Sequence, residues 1–213
     1  MASRMFSSLQ NRHHQRTVFI DRDGVINKDS AAYIKSWSEF IFLPRSLLAI
    51  KKLTQHHFRS YVITNQSVIN RKMVPLETLK KIHANMMNEV ASAGGRIDDI
   101  FFCPHVPENQ CSCRKPKPGL ILSAQAKYHI DLAHACMIGD SAKDIECAKI
   151  AGCGSALLVK TGNYVEAARV LSEKKIAPDY EALDLYDAVN WVIDHQESSD
   201  SESAGTATGT LKN

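Results

Sequence analysis

The 213-residue sequence has no apolar run of the roughly 18 residues that span a bilayer, which excludes a membrane-crossing helix. Residues 1–16 lack the apolar segment of a secretory signal; they carry Arg4, Arg12 and Arg16 with no acid, and a disordered lead-in is expected there. An excess of charge of either sign is lacking. A formal net charge of +3 gives too weak a field for nucleic acid or an anionic membrane surface, and the interleaved aromatics and cations of a nucleic-acid module are missing. Without an export signal, the six cysteines read as thiols or metal ligands, and a cytoplasmic location is expected. The length suits one good core and would cramp a second. We therefore expect one domain over residues 17–195, acting as a monomer, and a disordered tail over 196–213, where Ser, Thr, Gly and acids leave almost nothing to bury.

What is present is organised around Thr17 to Asn27, T-V-F-I-D-R-D-G-V-I-N. Val18, Phe19 and Ile20 suit a strand covered on both faces, and Gly24 can take the turn that follows. Alternation along an extended chain would send Asp21 and Asp23 to one side. Two carboxylates at one spot repel unless a cation intervenes. One could bind Mg2+ and attack an electrophile while the other moves a proton; an acidic turn bonding its own backbone is equally compatible with this stretch alone.

Downstream, residues 27–40 form a polar loop holding Lys28, Asp29, Tyr33, Lys35 and Trp37, long enough to cover the strand end. Pro44 starts a helix through Leu47, Leu48, Ile50, Leu53 and Gln55. The strand Tyr61 to Ile63 ends in Thr64, Asn65, Gln66 and Ser67, which together could bind an anion or simply cap a turn. Pro75 opens a second helix (Leu76, Leu79, Ile82, Met86, Val90), closed by Gly94 and Gly95. Ile100 to Phe102 make a third strand, Leu120, Ile121 and Ala124 a third helix, and Cys136 to Ile138 a fourth strand. That strand ends in Gly139-Asp140-Ser141-Ala142-Lys143-Asp144, before a helix lined by Ile145, Ala148 and Ile150. Ala156 to Val159 give a fifth strand and Leu183 to Ile193 a last amphipathic helix. Alternating strands and helices predict an α/β fold, a mainly parallel sheet with helices on both faces. Ligands in such sheets lie beyond the carboxyl ends of the strands, where all three polar signatures fall.

Between the third strand and third helix runs C-P-H-V-P-E-N-Q-C-S-C-R-K-P-K-P-G. Cys103, His105, Cys111 and Cys113 have the ligand types of a closed structural zinc site, and four protein ligands leave no position for catalysis at that metal. Cys136, Cys147 and Cys153 fall in core patterns and read as buried thiols. Arg114 and Lys115 follow the last ligand, and cations fixed there would suit phosphate.

With these residues assembled, the sequence resembles the haloacid dehalogenase-like phosphatases, in the order Asp-x-Asp-Gly, strand-end Thr, Lys, Gly-Asp-x-x-x-Asp. The zinc loop, D-R-D-G-V-I-N and T-N-Q-S are similar, more narrowly, to the D-glycero-D-manno-heptose 1,7-bisphosphate 7-phosphatases, with histidinol-phosphate phosphatases as relatives; the resemblance covers Thr17 to Val159. It implies a fold without a large cap domain and a phosphorylated sugar as substrate. Asp21 would be the nucleophile and Asp23 the acid and base. Asp21, the Asp23 main chain and Asp140 would hold Mg2+, with Asp144 in support. Thr64, Asn65 and Lys115 would hold the phosphoryl group, helped by Gln66 and Ser67, while Arg114, Asp29 and Tyr33 would contact substrate. Three departures touch the substrate side: Val68-Ile69-Asn70-Arg71-Lys72 lacks the usual glycines, the loop after Asn27 is one residue longer, and Ser141 replaces a common Lys. A receiver-like phospho-accepting switch is the rival of another class, but there the acidic pair comes first and the accepting Asp lies on a later strand.

Overall fold

The structure is a computed structural model that describes residues 16–205; the expected disordered lead-in and the end of the tail fall outside the described residues. Six parallel strands make one sheet in the order β3-β2-β1-β4-β5-β6. They are β1 Thr17–Ile20, β2 Arg59–Asn65, β3 Asp99–Cys103, β4 Ala135–Gly139, β5 Ser155–Val159 and β6 Tyr180–Ala182. The helices are α1 Ser46–Gln55, α2 Leu76–Ser92, α3 Gly119–Tyr128, α4 Ala142–Ala151, α5 Tyr164–Lys174 and α6 Leu185–Gly205. No cap domain is evident among the described residues, and no helix there is long and apolar enough to cross a membrane.

The continuous apolar run of β1 is explained by two cores. Val18 and Ile20 point into one, with Ile50 and Leu53 of α1, Ile82 and Met86 of α2 and Val189 of α6. Phe19 points into the other, with Leu120 and Ile121 of α3, Ile145 of α4 and Leu171 of α5. Each of the three β1 side chains is fully buried, which stabilises the fold by about 1.5–3 kcal/mol apiece. The strand order reverses between β1 and β4, so the loops after these two neighbours diverge and leave a crevice at their carboxyl ends. Asp21 and Asp140 stand at that crevice, and Asp21 N–H still bonds Ile138 O at 3.0 Å.

Several expectations change. The alternation argument for Asp21 and Asp23 does not extend that far, because β1 stops at Ile20 and Val25, Ile26 and Asn27 all donate back to Arg22 O. Leu48, Gln55, Leu76 and Ile150 are exposed. Leu48 stands two residues, about 200°, from the buried Ser46 and Ile50, and Ile150 two residues from the buried Ala148, so neither shares the buried stripe. Helix α5 and edge strand β6 are additional to the sequence reading, and α6 starts at Leu185 and continues past residue 195 to Gly205, where a disordered tail was expected.

Candidate active site

Lys115 is the hub of the crevice. The residue is only 3 % exposed, and its ammonium lies 2.8 Å from Asp21 Oδ1 and 2.5 Å from Asp144 Oδ1 and donates to Ile63 O at 2.7 Å. The carboxylates of Asp21, Asp140 and Asp144 have oxygens within 4.8 Å of one another, close enough to share a metal ion. Three buried carboxylates against one ammonium leave a surplus of two negative charges. Burial chiefly pushes Asp21 up to about 7, against the pull of Lys115, and lifts Asp140 to about 8, with Asp144 and Asp21 adding to it. Lys115 is raised despite its burial, because Asp144 and Asp21 hold the proton on it.

Local sequence explains this convergence. At Gly24 and Gly162, both with positive φ, a Cβ would stand 2.2 and 2.0 Å from Asp140 Oδ2, so the carboxylate occupies space only glycine leaves open. A Cβ on Gly139 would fall 2.2 Å from that of Asp144. Ser141, the residue that replaces a common Lys, is the N-cap of α4 and donates to Asp144 Oδ2 through its hydroxyl (2.7 Å) and backbone N–H (3.1 Å).

A second group surrounds Asp23. Arg22 Nη2 donates to both of its oxygens (2.7 and 2.8 Å), Asn27 Nδ2 to Oδ1 (2.9 Å) and Gln66 Nε2 to Oδ2 (2.8 Å). Burial opposes the charge, but the Arg22 ion pair and these bonds outweigh it and hold Asp23 below the usual carboxylate range. Gln66 also donates to Thr64 Oγ1 at 2.9 Å, joining the acid to the strand-end threonine. The carboxamide of Asn65 is spent on the backbone of Lys115, accepting its N–H at 3.1 Å and donating to its carbonyl at 3.2 Å. Its side chain therefore fixes the backbone of the lysine. Among the described residues no side-chain bond joins Ser67 to either group; its carbonyl accepts Arg71 N–H at 2.9 Å.

At the rim, Asn163 ties Asp140 to the loop after β1: its N–H donates to Asp140 Oδ2 at 2.7 Å and its Nδ2 to Asp29 Oδ2 at 3.2 Å. The Arg71 guanidinium lies 5.7 Å from the centre of the Tyr33 ring, so the loops after β1 and β2 meet there. Sequence reasoning missed Arg22, Asn27, Thr161 and Asn163. The last two stand in T-G-N after β5, a small polar cluster at a strand end of the kind singled out after β2. Thr161 donates to Gly24 O, closing that turn.

The cysteine loop gathers Cys103, His105, Cys111 and Cys113 as expected. Sulfur-to-sulfur distances are 3.3, 3.4 and 3.6 Å, and His105 Nδ1 is 3.5 and 3.3 Å from Cys103 and Cys113. A tetrahedral zinc site has edges of about 3.5–3.8 Å, so the four atoms stand slightly closer than they would around such an ion. Arg114 is tied to this loop by Nη1 on His105 O at 3.0 Å.

The HAD-hydrolase-like family model matches residues 112–188. The D-glycero-β-D-manno-heptose-1,7-bisphosphate 7-phosphatase of Bordetella bronchiseptica is 45% identical over 148 residues, 70% of this chain and 82% of that one. Its namesake in Pseudomonas putida is 44% identical over 147 residues, 69% and 83% of the two chains. The crystal structure of the B. bronchiseptica D,D-heptose 1,7-bisphosphate phosphatase with magnesium and phosphate superposes with a TM-score of 0.79 at 38% identity, covering 85% of this chain and 99% of that one. The Burkholderia thailandensis enzyme gives 0.62 at 30% identity, covering 82% and 96%. This chain belongs to the D-glycero-β-D-manno-heptose-1,7-bisphosphate 7-phosphatase family of HAD-like hydrolases.

Proposed function

We propose that the protein is a Mg2+-dependent phosphatase that removes the 7-phosphate of D-glycero-D-manno-heptose 1,7-bisphosphate through a phosphate ester of Asp21. The observation that carries this reading is the buried Lys115 ammonium between Asp21 and Asp144, beside a carboxylate surplus that a divalent cation would balance. Gly24 and Gly162 make room for the Asp140 carboxylate at the crevice, and Asp21, the Asp23 main-chain carbonyl and Asp140 would hold such an ion. Bound there, Mg2+ would neutralise charge on the phosphoryl oxygens.

In this mechanism the Asp21 carboxylate attacks phosphorus while Thr64 and Lys115 hold the transferring group. Asp23, held below the usual carboxylate range in the free protein, would take up a proton as the phosphate dianion binds beside it and give it to the sugar oxygen as the P–O bond breaks. It then takes a proton from the water that hydrolyses the acyl phosphate and frees Asp21. A receiver-like switch has no acid two residues beyond its phosphorylated Asp and turns over slowly, so Asp23 favours catalysis.

Zn2+ on Cys103, His105, Cys111 and Cys113 would be structural, fixing the backbone from which Arg114 and Lys115 project. Six free cysteines suit the reducing cytosol. A bisphosphate needs a second cation for its far end, which Arg114, and Arg71 over Tyr33, would supply. The cationic amine of histidinol phosphate would meet repulsion there.

The test is substitution of the two acids. Asp21→Asn is expected to abolish Mg2+-dependent turnover with the fold intact; Asp23→Asn to cost about 10^2 to 10^4 in rate. Near-native turnover by Asp21→Asn would rule out the covalent route.

A further inference from the structure

His83 lies on the buried face of α2 with Leu79, Ile82 and Met86. Its Nε2 is 3.2 Å from Arg22 Nη1. A guanidinium has no acceptor, so Nε2 accepts and the ring proton sits on Nδ1. Burial, and then the Arg22 cation, push the imidazole down to about 3, so the ring is neutral. Arg22 is 1 % exposed, with the Phe40 ring centre 5.9 Å from its guanidinium carbon, and Phe102 packs against His83 at 5.7 Å. Asp23 and His83 are the guanidinium's two hydrogen-bond partners among the described residues: Nε and Nη2 face the carboxylate at 2.7–3.1 Å, and Nη1 faces the imidazole.

The other donors on Asp23 differ from Arg22. Gln66 Nε2 also holds Thr64 Oγ1, and Asn27 Nδ2 also holds Lys28 O, so either can release a carboxylate oxygen without being left unpaired. The guanidinium has no such alternative. We propose that His83 is a positioning residue for phosphoryl transfer: by accepting Nη1 it fixes the rotation of the Arg22 guanidinium, and so the place of the Asp23 carboxylate. The inference rests on Asp23 being the acid and base of the reading above. A histidine that merely fills the core would affect every substrate alike.

The experiment compares kcat/KM for heptose 1,7-bisphosphate and p-nitrophenyl phosphate in Mg2+. An alkoxide needs a proton as its P–O bond breaks, whereas nitrophenolate leaves without one; kcat/KM stops at that bond, so the shared hydrolysis of the acyl phosphate does not enter. In His83→Leu, which removes the acceptor, the sugar-to-aryl ratio is expected to fall about tenfold or more, part of the 10^2 to 10^4 that general acid catalysis supplies. His83→Gln, which can accept at the place of Nε2, is expected to restore it. An equal fall for both substrates, or none, would overturn the proposal. Should His83→Leu not fold, His83→Met carries the same test: it keeps the bulk with at most a weak acceptor, so a selective loss is expected and an equal loss overturns the idea. Wild type inactive on both esters would overturn the phosphatase reading itself, and this inference with it.

Discussion

The side chain of Asn65 grips the backbone of Lys115 from both sides, Oδ1 on its N–H at 3.1 Å and Nδ2 on its carbonyl at 3.2 Å. Two residues earlier on the same strand, Ile63 O holds the lysine's Nζ at 2.7 Å. Strand β2 therefore splints both ends of a residue fifty positions away that arrives on the cysteine loop. Replacing Asn65 by Leu keeps the shape and removes both bonds, which together contribute roughly 1–3 kcal/mol. We expect kcat/KM to fall about tenfold to a hundredfold while the fold is kept. Unchanged kinetics in Asn65→Leu would mean that the cysteine loop alone places the lysine.

The stability of the Mg2+-free protein should depend on pH in a defined direction. Asp21 and Asp140 rise from an ordinary 3.8 to about 7 and about 8 in the folded chain. Folded protein therefore keeps protons that the unfolded chain has lost, so this contribution to stability falls as pH rises from about 4 to 8 and is level above. Because Mg2+ competes with those protons, the rise in Tm on adding it should be large near pH 8 and small near pH 5. Thermal melts of zinc-loaded protein with and without Mg2+ check this. Equal Tm gains at both pH values would place the cation elsewhere.

Zinc should be present at one per chain in protein purified under reducing conditions without chelator. Stripping it should lower activity by freeing the loop that carries Arg114 and Lys115. Mg2+ alone should not restore the stripped enzyme, whereas zinc with Mg2+ should. Activity unchanged after complete zinc removal would show that Asn65 and Ile63 suffice to hold Lys115.

What the chain declares in sequence follows the physics of each element. The central strands were legible because burial on two faces demands unbroken apolar runs, and the acids at their ends because polar residues directly after such runs are conspicuous. Helix α5 was not, since it turns only Ala167 and Leu171 fully inward, and β6 is a three-residue edge strand with one buried side chain. The cysteine loop was legible from ligand types alone. The splint that Asn65 makes was not legible, because a strand-end carboxamide beside a phosphate motif gives no sign that its partner is a backbone fifty residues on. Arg22 and His83 escaped for the opposite reason. A charge is rarely buried without a partner, and its partners here, Asp23 next door and His83 on α2, meet only in the fold. His83 did fall four residues after Leu79, on the stripe already assigned to the core.

The central claim is that this crevice removes one particular phosphate from a sugar bisphosphate. The direct measurement is kcat/KM on D-glycero-D-manno-heptose 1,7-bisphosphate and on histidinol phosphate with Mg2+, with 31P NMR of the sugar product to show which phosphate has gone. The account predicts much the higher kcat/KM for the heptose, release from position 7, and an intact 1-phosphate. A protein that prefers histidinol phosphate, or that releases the 1-phosphate, would contradict it.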